Sequence, residues 1–128
     1  MSTLPRRMIL AAPALGAAAA HAQPAFPTHS IRIIIPFGPG GGTDNLIRVI
    51  DPLVARALGQ ALVIENRPGA ASTVGTELVA RAEPDGYTLL ALDSTFTINP
   101  GLMPRLPYDS ARDFTPVCIL ANAPIVLV

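Results

Sequence analysis

The residues best suited to chemistry in this chain form the run Pro36-Phe37-Gly38-Pro39-Gly40-Gly41-Gly42-Thr43-Asp44. It follows the apolar run Ile31-Arg32-Ile33-Ile34-Ile35 and precedes a helical pattern from Asn45 to Leu58. A strand that feeds a glycine-rich turn and then a helix leaves unpaired backbone N–H groups at the mouth of a sheet. Those donors, with the positive end of the helix dipole, favour an anion. Glycine lets a ligand approach the backbone closely and allows positive φ. The second group is Asp93-Ser94-Thr95, placed after another strand pattern. Ligands of open parallel sheets bind outside the carboxyl ends of the strands, so both groups reach one edge.

The chemistry of the loop excludes two common anions. A phosphate-binding P-loop requires Lys followed by Ser or Thr, and this chain has no Lys. The dinucleotide motif places a third glycine where Thr43 stands, and Asp44 puts a carboxylate at the helix entrance. A smaller anion, a carboxylate, fits better. Candidate ligand contacts are Phe37, Gly38, Gly40, Gly41, Gly42, Thr43, Asp44, Asp93, Ser94 and Thr95. Asp44 at such a position more often caps the helix than touches a ligand, and Ser94 and Thr95 can cap a following helix instead of holding an oxygen.

No catalytic constellation and no metal-ligand spacing is present in the sequence. His21 lies in the leader, and His29 reads as a solvated loop residue. Glu65, Glu77, Glu83 and Asp85 fall on helix faces or turns, where solvated charge is the default. Asn66-Arg67-Pro68-Gly69 reads as a turn. Cys118, the single cysteine, sits in an apolar run and is expected to be a buried, inert thiol. No cofactor is expected.

The elements that carry these residues alternate strand and helix, which predicts a parallel α/β sheet. Strands are expected at 31–35, 62–65 and 87–92, with further strand-like runs at 117–120 and 125–128. The first helix presents Leu46, Ile47, Ile50, Leu53, Val54, Ala57 and Leu58 on one face and ends at Gly59. Pro52 inside it predicts a kink, or a restart capped by Asp51. Ser72 or Thr73 caps a second helix whose apolar face is Val74, Leu78 and Ala82. Residues 99–116, with four prolines, read as loop with one short helical turn.

Residues 1–22 read as a secretory signal peptide. Arg6-Arg7 is the basic region, Met8 to Ala20 the apolar region, and Ala20-His21-Ala22 the cleavage site. Arg6-Arg7 also partly matches a twin-arginine signal, with Pro5 off-pattern. The apolar run is too short to span a bilayer. No cysteine follows the cleavage site to carry a lipid anchor. Residues 23–128 are enough for one small domain and too few for two. Net charge is zero and the mature part holds no basic cluster, which excludes nucleic acid as a partner class. The chain stops within Ile125-Val126-Leu127-Val128, with no turn or polar tail, which reads as the front part of a longer protein.

Several segments together resemble the Bug family of periplasmic solute-binding receptors, the extracytoplasmic components of tripartite tricarboxylate transporters. They are Ile31 to Asp44; Leu58-Gly59-Gln60 with Val63 to Ala70; Pro84 to Leu90; Ile98-Asn99-Pro100; and Leu106-Pro107-Tyr108-Asp109 with Asp113-Phe114. The resemblance runs from about Phe26 to Val128. It implies a two-lobed, non-enzymatic receptor with a periplasmic-binding-protein-like parallel-sheet lobe, of which residues 23–128 would be the incomplete N-terminal one. The receptor would close on a small carboxylate and deliver it to membrane transporter subunits. It further implies that the loop from Phe37 to Asp44 contacts the ligand carboxylate and that Asp93 to Thr95 line the same cleft. Two departures stand out. Family members are more than twice this length, and they often carry Asn and His where Asp93 and Phe96 stand. The ligand range of the family covers amino acids, dicarboxylates, citrate-like acids and aromatic acids. Two other readings compete with the receptor. One is an α/β enzyme domain that binds a phosphorylated substrate, disfavoured by the missing Lys and the missing His or Cys partner. The other is a non-functional receptor remnant, favoured by the abrupt apolar end.

Overall fold

The structure is a computed structural model that describes residues 26–122. The signal peptide, its cleavage site after Ala22 and the apolar run 125–128 lie outside the described residues. Three strands and three helices alternate: β1 (Ile31–Ile35), α1 (Gly42–Leu58), β2 (Leu62–Asn66), α2 (Thr73–Ala80), β3 (Thr88–Leu90) and α3 (Thr95–Leu102). The sheet is parallel throughout, in the order β2-β1-β3. Among the described residues no helix is long and apolar enough to cross a membrane.

The β-branched run Ile31–Ile35 forms the central strand, where both faces are covered. Ile33 and Ile35 point to one face and form a buried cluster with Ile47 of α1, flanked by Phe37, Ile50, Leu62, Ile64, Leu89 and Ala91. Ile34 and Pro36 are fully buried on the alternate face. There α2 approaches so closely that a Cβ on Gly75 would stand 2.8 Å from both the Pro36 Cβ and the Arg67 carbonyl. Since β2 and β3 flank β1 on opposite sides, right-handed crossovers place α1 and α2 on opposite faces. The carboxyl ends of β1 and β3 then diverge at the switch point of the sheet, where α/β proteins hold their ligands.

Helix α1 begins three residues earlier than its apolar period, at Gly42, and runs unbroken through Pro52. The restart at Asp51 is therefore not formed. Gly59 ends the helix in the left-handed region, φ 68°. The apolar face of α1 is only half used: Ile47 is buried, while Leu53 and Leu58 are exposed. In α2 the expected face is rotated. Val74 is exposed, and Thr73, Gly75 and Thr76 are buried. Close backbone packing selects the small residues, and Thr76 satisfies its hydroxyl on the Ser72 carbonyl. Ser72 occupies the N-cap position but makes no side-chain cap bond.

Strand β3 is shorter than the pattern predicts. Its ladder bonds still reach one residue beyond each end, from Arg32 N–H to the Tyr87 carbonyl and from Ala91 N–H to the Ile34 carbonyl. A full helix, α3, replaces the loop expected from residue 99, and Pro100 is tolerated within its last turn. Phe96 stacks on Tyr108, and both meet Phe114 edge-on, at 5.1 and 5.7 Å between ring centres. This aromatic knot anchors the proline-rich segment on α3. Beyond it, residues 117–120 form no strand, because among the described residues no ladder partner reaches them. Cys118 is consequently exposed rather than buried.

Candidate functional site

The candidate site lies where β1 runs into α1. Gly41 is the N-cap, without a side chain to cap, and the first turn holds Gly42, Thr43 and Asp44. The N–H groups of such a first turn have no intrahelical acceptor. Gly41 and Gly42 are exposed. Gly40 takes φ 82°, a conformation that glycine reaches without strain, and this turns the chain into the helix.

Asp44 is buried, 2% exposed, and faces away from solvent. One of its oxygens, Oδ2, accepts the Gly40 N–H at 2.8 Å and the Arg48 Nε at 3.0 Å. The other, Oδ1, accepts Asn66 Nδ2 at 3.0 Å. The Arg48 hydrogen bond, then the Gly40 amide and Asn66, hold this carboxyl at about 2, against 3.8 for an ordinary aspartate, while burial acts in the opposite direction. Asp44 is therefore ionised and paired internally. The hydrogen bonds of this carboxylate all run within the loop and to its two neighbours, Arg48 and Asn66. The Gly40 N–H is likewise engaged and is not an open donor.

At the end of β3, Asp93 Oδ1 accepts both the backbone N–H of Thr95, at 2.9 Å, and the Thr95 hydroxyl. This Asx turn opens α3. Ser94, exposed, stands at the N-cap position of α3 with no side-chain cap bond. Behind this loop, Asn99 is 3% exposed and donates to the Ala71 carbonyl at 2.8 Å and to Ser72 Oγ at 3.3 Å. It steadies Ala70, Ala71 and Ser72, which all hold positive φ.

Phe37, Gly41, Gly42, Thr43, Asp93 and Ser94 line one groove of about 2200 Å³. Gly38, Gly40, Asp44 and Thr95 do not line it. The groove continues along Leu46, Ile50 and Val54 of α1 and under residues 114–122. Its size exceeds that of a small-molecule pocket. Only its polar end, between the first turn of α1 and Ser94, matches a small anion in chemistry. His29 lies far from that end. It packs edge-on against Tyr87, 3.6 Å between ring centres, at the amino ends of the strands. Among the described residues no cluster of His, Cys, Asp or Glu could hold a metal ion.

Sequence reasoning missed Arg48, Asn66 and Asn99. Asn66 left a signal: an amide side chain, poorly suited to a strand, closes the run Leu62-Val63-Ile64-Glu65 at the carboxyl edge of the sheet.

Comparison with known proteins places this geometry. The model of the tripartite tricarboxylate transporter family receptor matches residues 46–128, more than half of the chain. Protein BugT of Bordetella pertussis is 40% identical over 115 residues, which are 88% of this chain and 35% of BugT. The solved structure of the periplasmic binding protein BugD superposes with a TM-score of 0.68 at 37% identity, over 71% of this chain and 30% of BugD. MatC from Rhodopseudomonas palustris, solved with bound malate, gives a TM-score of 0.68 at 39% identity, over 74% of this chain and 33% of MatC. The chain thus spans about a third of the length of these relatives. The three-stranded parallel sheet corresponds to part of such receptors, which bind solutes and are not enzymes. This chain belongs to the tripartite tricarboxylate transporter receptor family.

Proposed function

We propose that this chain supplies the carboxylate-binding part of the first lobe of a periplasmic receptor, which hands a small carboxylate to a membrane transporter. The observation that carries this reading is the open first turn of α1 beside Ser94, at the switch point of the parallel sheet. Two or three N–H groups and a hydroxyl, with no free cation in the first turn, suit a carboxylate oxygen. The malate bound in MatC, a relative of the same lobe architecture, supports that ligand class. Within the proposal, Phe37, Gly41, Gly42, Thr43 and Ser94 face the ligand, while Gly38, Gly40, Asp44, Asp93 and Thr95 shape the two loops. Residues 1–22 direct export and are removed after Ala22, and residues 23–128 form the lobe.

Titration of the 15N-labelled chain with malate tests the reading. The amide signals of Gly41, Gly42, Thr43 and Ser94 should move together as malate is added, while those of β2 stay fixed. Equal shifts all over the chain, or none at all, would overturn it. Mass spectrometry of exported protein should show a chain that begins at Gln23, and an intact Met1 would contradict the leader.

A further inference from the structure

Asn66 ends β2, opposite Ile35 in the ladder, and the next residue, Arg67, donates its N–H to the Ile35 carbonyl at 2.7 Å. The backbone at this point is thus fixed to the last residue of β1. From there the Asn66 side chain reaches across into the glycine loop. Its Nδ2 donates to the Phe37 carbonyl at 3.1 Å and to Asp44 Oδ1 at 3.0 Å, and its Oδ1 accepts Arg48 Nη2 at 3.3 Å. Both polar atoms of one amide are engaged, across 18 to 29 residues of sequence. The partners matter. Phe37 starts the loop, Asp44 ends it and itself holds the Gly40 N–H, and Arg48 balances the Asp44 charge. A loop with this many glycines has large conformational freedom when unrestrained. Gly38, Gly40, Gly41 and Gly42 have little side-chain packing of their own: a Cβ at Gly38, Gly40 or Gly42 would meet nothing within 4 Å. The order of the loop therefore comes from polar clamps at its two ends, and Asn66 is the one residue among those described that holds both.

We propose that Asn66 is the positioning residue of the carboxylate loop: by fixing the Phe37 carbonyl and the Asp44 carboxylate together, it aims the first-turn N–H groups of α1 into the groove. This rests on the carboxylate reading of that groove. Only an amide meets the need. It supplies two donors to two acceptors that would repel each other or any third acceptor placed between them. An aspartate at this position would set a second carboxylate against Asp44 and against the Phe37 oxygen.

The test compares Asn66→Ala and the isosteric Asn66→Asp with the unsubstituted chain, using amide exchange and malate titration followed by NMR. Exchange at Gly40 should quicken by about fivefold, the factor that loss of one ordinary hydrogen bond gives. Exchange at Ile33 and Ile34 should remain as it was. Malate-induced shifts at Gly42 and Thr43 should fall to about a third or less, as expected when oriented donors become mobile. Unchanged exchange at Gly40 in either folded variant would overturn the proposal. So would loss of protection across β1 in both variants, which would make Asn66 a residue of the fold as a whole. If the unsubstituted chain shows no malate-induced shift, the carboxylate reading and with it the ligand half of the proposal fall, and the exchange at Gly40 alone decides whether Asn66 holds the loop.

Discussion

Asp44 and Gly40 face each other across the turn from β1 to α1, and the Gly40 N–H donates to the Asp44 carboxylate at 2.8 Å. The carboxylate closes the loop from inside. Its negative charge does not repel an incoming anion unopposed, because Arg48 pairs with it at 3.0 Å. The glycines further along, Gly41 and Gly42, are left open to the groove.

That openness makes Gly41 a sharp test position. Its φ is −71°, and a Cβ there would stand 3.5 Å from the Gly38 carbonyl, an ordinary contact. Gly41→Ala should fold and keep malate-induced shifts. Gly41→Asp should fold nearly as well but lose them, since it sets a negative charge among donors meant for an anion. Equal titrations for the two variants would show that the loop is only a turn.

The closeness of α2 to β1 depends on Gly75. Gly75→Ala must displace both Pro36 and the Arg67 carbonyl, each 2.8 Å from the new Cβ, or shift α2 itself. The expected loss is about 1–3 kcal/mol, read from urea midpoints. Gly38→Ala, which meets nothing within 4 Å, is the matched control and should lie within about 0.5 kcal/mol of the parent. A Gly75→Ala variant as stable as that control would show that α2 can shift freely.

Acid should attack the Asp44 cluster. A carboxyl lowered from 3.8 to about 2 in the folded chain contributes stability that is fully present above the unfolded value. That contribution is lost as pH falls through about 4 and on towards 2. Asp44→Asn removes the titrating group. The stability gap between parent and variant should therefore shrink steadily over this window, as followed by urea unfolding at fixed pH. A gap independent of pH would mean that Asp44 is unpaired in solution.

Tyr108 is buried in the aromatic knot, and its hydroxyl has no hydrogen-bond partner among the described residues. The ring packs, while the hydroxyl carries only a desolvation cost. Tyr108→Phe should keep or raise stability, by up to about 1 kcal/mol. A loss larger than that would reveal a partner for the hydroxyl.

How far the sequence predicted this architecture depends on what held each segment. The run Ile31–Ile35 and the glycine stop at Gly59 carry their structure in local chemistry, and both are found where the pattern places them. The buried face of α2 was not legible. It is chosen by the contact of Gly75 with Pro36, which hydropathy does not encode. Helix α3 was hidden by Pro100, which ordinarily argues against a helix but falls near its end, where few bonds are lost. The strand expected at 117–120 depends on a partner outside its own sequence. In the site, the glycine turn from β1 into α1 was readable because glycine chemistry is local. The clamp from Asn66 was not, because it joins residues 29 positions apart.

The last prediction concerns affinity. The polar end of the groove opens into a space of about 2200 Å³, so a carboxylate held there remains in contact with water. In that setting each N–H contributes only about 1 kcal/mol net. Three such donors oppose an association cost of at least about 4 kcal/mol. The balance falls short of zero, which leaves binding weaker than millimolar. The relative that binds malate is more than twice as long, and a second lobe that closed over this edge would exclude water and strengthen each contact. Titration calorimetry of residues 23–128 with malate, citrate and aspartate should therefore show dissociation constants of about 1 mM or weaker. Micromolar binding by a monomeric sample would show that the first turn of α1 and Ser94 suffice on their own, and that enclosure by another lobe is not what sets affinity.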